Sequence, residues 1–298
     1  MSHNALFLTL TALLLIAGSG AAPQAQNAPA AMPPAQPAKD LKDALYKAAD
    51  ALGMLRGPQE RDAIVTYEYR ATGTLNVGGK PCQLKEYRAS VRYPAPDRRE
   101  PPNMPVPGMR IDYTCEGGPR QVEVVAGEFA WNEKTPGMGA TTAPEGALQE
   151  RLLQLWTLPH GLMKAAYLAG NNAKFAMEAG KPTVTFPLPA PLQAATAKIT
   201  LDPANFMFHT MPTGVRRYFS HRIERVDVTF NNVKHVITYS DYGDWNASDY
   251  KSDVHTPKRI VQERNGVRVA DLTVSETQTY NPYVVMPVPE NIRKTAAR

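Results

Sequence analysis

Between Val65 and Thr277 apolar residues alternate with polar ones in one short run after another. Val65, Tyr67, Tyr69 and Ala71 share one face of a strand with Leu75 and Val77. After Gly78-Gly79, Tyr87, Ala89, Val91 and Tyr93 alternate with Glu86, Arg88, Ser90 and Arg92. Ile111, Tyr113 and Cys115 do the same, followed by Val122-Val124 and Phe129-Trp131. Period two is the signature of strands, and one apolar face per strand marks an antiparallel sheet wetted on its other side. Val226–Phe230 and Val233–Tyr239 flank Asn231-Asn232, and Lys258–Glu263 and Val267–Thr277 flank Asn265-Gly266. These dipeptides suit two-residue turns with positive φ, so two hairpins follow one another. Within the last strand the apolar face shifts from Val267 and Val269 to Leu272 and Val274, which calls for a β-bulge or for burial on both faces.

The period changes in two places. Leu41, Leu45, Ala48, Ala49 and Leu52 predict a helix over 40–54, ended by Gly53 or Gly57. Leu148, Leu152, Leu155 and Trp156 predict a second, broken at Thr157-Leu158-Pro159, with a short third helix over Gly161–Ala169. Strands then resume: Ala173–Glu178 turns into Thr183–Phe186, and Lys198–Asp202 turns through Pro203-Ala204-Asn205 into Phe206-Met207-Phe208. Pro282–Pro289 reads as extended. The predicted fold is mainly β (α+β). A large curved antiparallel sheet, or half-open β-barrel, is covered by the N-terminal helix and the central helical insertion.

Composition sets the ends of that domain. Ala5–Ala17 is a thirteen-residue apolar run followed by Gly18-Ser19-Gly20-Ala21-Ala22, with no Lys or Arg before it. It is too short to span a bilayer comfortably, so residues 1–21 are expected to be a cleaved signal peptide, with an uncleaved anchor as the alternative. Residues 22–39, rich in Ala and Pro, are expected to be a flexible linker. Residues 40–298 are left as a single domain, ample for a sizeable core. The net charge of +5 is spread along the chain and gives no reason to expect nucleic acid as a partner. In an exported chain the only two cysteines, Cys82 and Cys115, are first read as a disulfide; no CxxC or histidine cluster favours a metal or redox pair.

The search for chemistry excludes more than it finds. G-x-S-x-G is absent. His160, His209, His221, His235 and His255 form no HxH, HxxxH or HExxH, so each reads as a surface or cap residue, and no metal or other cofactor is expected. Gly73–Lys80 is P-loop-like only in outline: Gly79 stands where Lys is required and Pro81 follows, so no nucleotide site is expected. The acid-rich loop Asp241–Asp253 lacks EF-hand spacing and reads as a turn rather than a calcium loop. Its aromatics, Tyr242, Trp245 and Tyr250, pack on the sheet edge or form a recognition rim. Trp131, Leu152, Trp156, Leu158, Met163, Tyr167, Phe206 and Phe208 have two readings: plain core, or the lining of an apolar cavity between sheet and helices.

Several segments resemble one family. Tyr239-Ser240-Asp241-Tyr242, Pro257–Gln262, Asn265-Gly266, Asp271–Val274 and Val285–Pro289 resemble the closing hairpins of exported bacterial proteins of the LolA/LolB-like fold, that of outer-membrane lipoprotein carriers. Ala130-Trp131-Asn132 and Leu155–Gly161 are similar to uncharacterised members of that group. The resemblance implies a curved sheet closed by helices around an apolar space, in the periplasm. The leading expectation is therefore a non-catalytic periplasmic protein that binds a lipid or acyl chain. The alternative is an envelope protein-interaction or scaffold module whose barrel is plugged by its own side chains. An unrecognised hydrolase ranks below both.

Overall fold

The computed structural model describes residues 31–56, 59, 61–95, 101, 103–210, 213–244, 254–278 and 281–296. The expected signal peptide and the first part of the expected linker lie outside these residues, as do Trp245 and Tyr250 with most of the acid-rich loop. Residues from Pro34 onward form one compact unit. The chain enters through α1 (Leu41–Ala51), where the Asp40 side chain accepts a hydrogen bond from the Asp43 N–H at 2.9 Å and so caps the helix. Lys47 Nζ donates to the carbonyls of Gln36 and Pro37, at 3.2 and 3.1 Å, and fastens that segment to α1.

A short ribbon, β1 (Leu55–Arg56) and β2 (Arg61–Asp62), leads to β3 (Thr66–Val77), β4 (Lys80–Arg92), β5 (Gly108–Cys115), β6 (Arg120–Ala126), β7 (Phe129–Glu133) and β8 (Thr141–Thr142). The helices α2 (Ala147–Trp156) and α3 (Pro159–Ala169) follow. The chain then forms β9 (Lys174–Glu178), β10 (Lys181–Pro187), β11 (Thr196–Asp202), β12 (Met207–Thr210), β13 (Arg216–Phe219), β14 (Arg222–Phe230), β15 (Val233–Asp244), β16 (His255–Arg264), β17 (Val267–Gln278) and a last helix, α4 (Glu290–Ala296).

Thirteen strands make one antiparallel sheet in the order β8-β7-β6-β5-β4-β3-β17-β16-β15-β14-β11-β10-β9. Its two edges, β8 and β9, do not pair, so the expected half-open architecture is the one adopted. The two halves of the chain meet where β17 pairs with β3, Val274 opposite Ala71 and Ala270 opposite Leu75. At this seam Gly73 has φ +125°, and a Cβ there would collide with the Asp271 carbonyl oxygen. Asn231-Asn232 and Asn265-Gly266 both carry the positive φ that their hairpins require. The shift of apolar face in β17 is a bulge: Gln262 faces Ala270 but Glu263 faces Arg268, which leaves Val269 as the extra residue.

The large core lies between the sheet and the helices. It takes Ala44, Leu45 and Ala48 from α1, Leu152, Leu155 and Trp156 from α2, and Leu162, Met163 and Ala166 from α3. Sheet tyrosines grip the end of α2. Tyr93 Oη donates to the Leu155 carbonyl at 3.0 Å, and Tyr239 Oη donates to the Thr157 carbonyl. These bonds satisfy backbone acceptors that a helix end leaves open.

Four expectations need correction. Phe206–Phe208 does not fold back on Lys198–Asp202. β11 instead pairs with β14, placing Ala197, Ile199 and Leu201 against Val228, Val226 and Ile223, while β12 pairs with β13 in a separate ribbon. Matching two apolar faces outweighs the local turn at Asp202, whose side chain accepts from the Ala204 N–H. Secondly, the sheet is not wetted all along its outer side. Val122, Val124, Ala126 and Trp131 face away from the helices and are covered by Val284, Met286, Val288 and Ile292 of the C-terminal segment, a second core. Thirdly, the helices are not confined to the N-terminus and the central insertion: Pro282–Pro289 is extended as expected, and α4 follows it. Finally, His160, His221, His235 and His255 are buried rather than surface residues.

Candidate functional site

The inner face of β3, β4, β5, β15, β16 and β17 turns toward α2 and borders a half-open cavity of about 380 Å³. Its floor is apolar: Leu75, Ile111, Ile237, Ile260 and Leu272, with the rings of Tyr69, Tyr87 and Tyr239. These are the inward positions of the period-two pattern, brought together by cross-strand register such as Tyr87 opposite Tyr113. Its roof is Ala147, Arg151 and Gln154 of α2 with Thr157 and Leu158.

The mouth is polar. Arg264 of β16 reaches Glu150 of α2 at 3.7 Å. Arg151 lies 3.5 Å from Glu123, and Tyr113 Oη donates to the same carboxylate at 3.3 Å. Arg151 is itself buried. It donates to the carbonyls of Val124 and Trp131, at 3.0 and 2.7 Å, which ties α2 to the sheet. Burial pushes the Arg151 guanidinium pKa down, partly offset by Glu123. Burial first, then Glu123, pushes the Tyr113 phenol up to about 12, so it stays a donor throughout the physiological range. An apolar floor with a few convergent polar groups at one end is the usual build of a small-molecule site.

Of the eight side chains expected to line an apolar space, Leu158 lines this cavity and the other seven lie elsewhere. Trp131 is in the outer core, donating from Nε1 to Glu133 at 2.9 Å. Leu152, Trp156 and Met163 are buried in the main core. Tyr167 is half exposed at the end of α3. Phe206 and Phe208 sit at the β12–β13 ribbon, where Phe206 packs against Phe219 and Tyr242, and Phe208 against Tyr218. Tyr242 packs into the fold, its hydroxyl donating to the Ile223 carbonyl at 2.8 Å. The sheet residues of the floor carried a signal, their shared inward parity, but choosing among inward positions required knowing which strands α2 spans.

Cys82 and Cys115 form the expected disulfide, on strands β4 and β5. Among the described residues no helix is long and apolar enough to cross a membrane. One described side-chain cluster has the donors to hold a cation, His209 with Asp244 and His255, and it lies outside the cavity lining.

No protein-family model matches the chain, and no curated protein matches it. Among solved structures, the LolA superfamily protein NE2245 from Nitrosomonas europaea aligns with 83% of this chain and 96% of its own, at a TM-score of 0.45 and 10% sequence identity.

Proposed function

We propose that this protein is a non-catalytic periplasmic binding protein that holds a lipid or acyl chain in the cavity between its curved sheet and α2. The observation that carries the reading is the cavity itself. About 380 Å³ falls within the ~300–1,000 Å³ of small-molecule sites, and its floor is aliphatic and aromatic while its charges gather at the mouth. An extended apolar chain would lie along Ile237, Ile260, Leu272 and Leu158, and a polar head would meet Arg264, Gln262 and Gln154. The apolar run at Ala5–Ala17 supports export, and the disulfide suits an oxidising compartment.

The test is native mass spectrometry of the protein purified from its own periplasm, followed by denaturation and lipid analysis. A bound mass of a few hundred daltons, released on unfolding and lost in Ile260→Trp, is the expected result. A bare mass together with failure to bind fluorescent fatty-acid probes would overturn the reading. A second reading, an envelope protein-interaction module, draws support from Tyr167 and Leu168, which stand exposed side by side at the end of α3. Cross-linking from these two positions in the native envelope distinguishes it.

A further inference from the structure

We propose that His209, Asp244 and His255 form a binding site for a divalent transition cation of the zinc class, with solvent completing the coordination. The three come from separate parts of the chain. Asp244 ends β15 and His255 opens β16, and the two are direct cross-strand partners. Side chains so placed have Cβ atoms about 4.5–5.5 Å apart. The β12–β13 ribbon brings His209 to the same place, and one donor atom from each residue lies within 4.8 Å of the others. Tetrahedral bonds of about 2.0–2.1 Å separate donor atoms by about 3.3 Å, so rotamer adjustment of roughly 1–1.5 Å closes the set on an ion.

A second observation points to a ligand. His255 is fully buried, and its Nδ1 lies 2.8 Å from the Ala51 carbonyl oxygen at the end of α1. A carbonyl only accepts, so Nδ1 carries the proton and Nε2 presents its lone pair. Metal-binding histidines are held in one tautomer by this kind of bond. The ring is also fixed by packing: Phe219 meets it edge-on at 4.8 Å and Phe206 at 5.7 Å. Phe219 packs against His209 as well, at 5.1 Å, so one aromatic orients both imidazoles. Two imidazoles and a carboxylate are a donor set for zinc rather than for calcium or magnesium, which take all-oxygen sites. Three protein ligands leave a coordination position for water. The ion would staple the ribbon to the β15–β16 hairpin and, through His255, to α1.

The experiment uses the tag-free full chain, stripped with chelator and titrated with Zn²⁺ by calorimetry and with Co²⁺ by visible absorption. Saturable binding of one ion per chain, a rise in melting temperature with Zn²⁺, and the intense d–d bands of tetrahedral cobalt are expected. His209→Gln and Asp244→Asn, neither fully buried, should weaken binding by more than the ~10–100-fold seen when only a ligand's hydrogen-bond partner is lost. His255→Gln risks the fold itself, so the other two variants decide the outcome. No saturable binding by the folded wild type, or binding unchanged in both variants, would leave the cluster as aromatic packing and sink the proposal.

Discussion

Arg110 on β5 and Glu133 on β7 face each other in a two-pronged ion pair on the outer side of the sheet, Nε to Oε2 at 3.0 Å and Nη2 to Oε1 at 3.2 Å. The same guanidinium donates to the Val285 carbonyl at 3.2 Å, and the same carboxylate accepts from the Gly137 N–H at 2.6 Å. The pair therefore anchors the C-terminal segment over Trp131. Arg110→Ala strands a buried carboxylate, and removing one partner of such a pair costs about 3–5 kcal/mol. The expected outcome is a loss of that order in chemical denaturation, with hydrogen exchange accelerated first in residues 284–292.

Gly161 sits where α3 passes closest to α2. A Cβ there would lie 2.6 Å from the Leu155 carbonyl oxygen and 2.7 Å from Tyr93 Oη, the two atoms joined by the hydrogen bond that ends α2. Gly161→Ala should force these apart and destabilise the fold by about 1–3 kcal/mol, as overpacking commonly does. Thermal melts compared with Gly243→Ala check this, since a Cβ at Gly243 meets nothing within 4 Å and its backbone has no positive φ.

The disulfide closes a loop with a sequence separation of 33. On the chain-entropy model, constraint of the unfolded state contributes roughly 3–4 kcal/mol. The Cys82→Ser, Cys115→Ser double variant should lose about that much in urea denaturation while keeping the wild-type circular dichroism spectrum. A loss below about 1 kcal/mol would show that the bond is incidental to stability.

Three buried histidines predict acid sensitivity. Burial first, then the Lys164 charge, pushes the His160 pKa down to about 3. Burial, with Lys47 and Arg264 respectively, pushes His221 and His235 down to about 4. Each is neutral in the folded chain and titrates near 6.5 when unfolded, so the unfolded state takes up protons first as pH falls. Stability should be flat with respect to these groups above about pH 7. Below about pH 6.5 it should fall by about 1.4 kcal/mol per pH unit for each histidine, until the folded values are reached. Urea midpoints measured from about pH 7 to about pH 4.5 test this, and His235→Gln should flatten the slope by about a third.

Much of this architecture is legible along the chain, because strand alternation, hairpin turns and helix stripes are local. Tyr87-x-Ala89-x-Val91-x-Tyr93 places its apolar residues on one face whatever surrounds it. Asn265-Gly266 takes positive φ with little strain, and Leu158-Pro159 separates two helices because proline suits a helix start and not its interior. The pairing of Cys82 with Cys115 follows from their count, since the chain has no other cysteine.

What the chain alone leaves open is which face is covered and by what. Period two shows that Val122, Val124 and Trp131 need cover, and tertiary structure assigns them to Met286 and Val288 instead of to the helices. The cavity floor joins inward residues of six strands under one helix, so no local spacing marks it. His209, Asp244 and His255 meet only because a ribbon folds back over a hairpin end. Alternation and turn chemistry are properties of neighbours in sequence, whereas these sites are made by pairings between distant segments, chosen by the burial of whole faces at once.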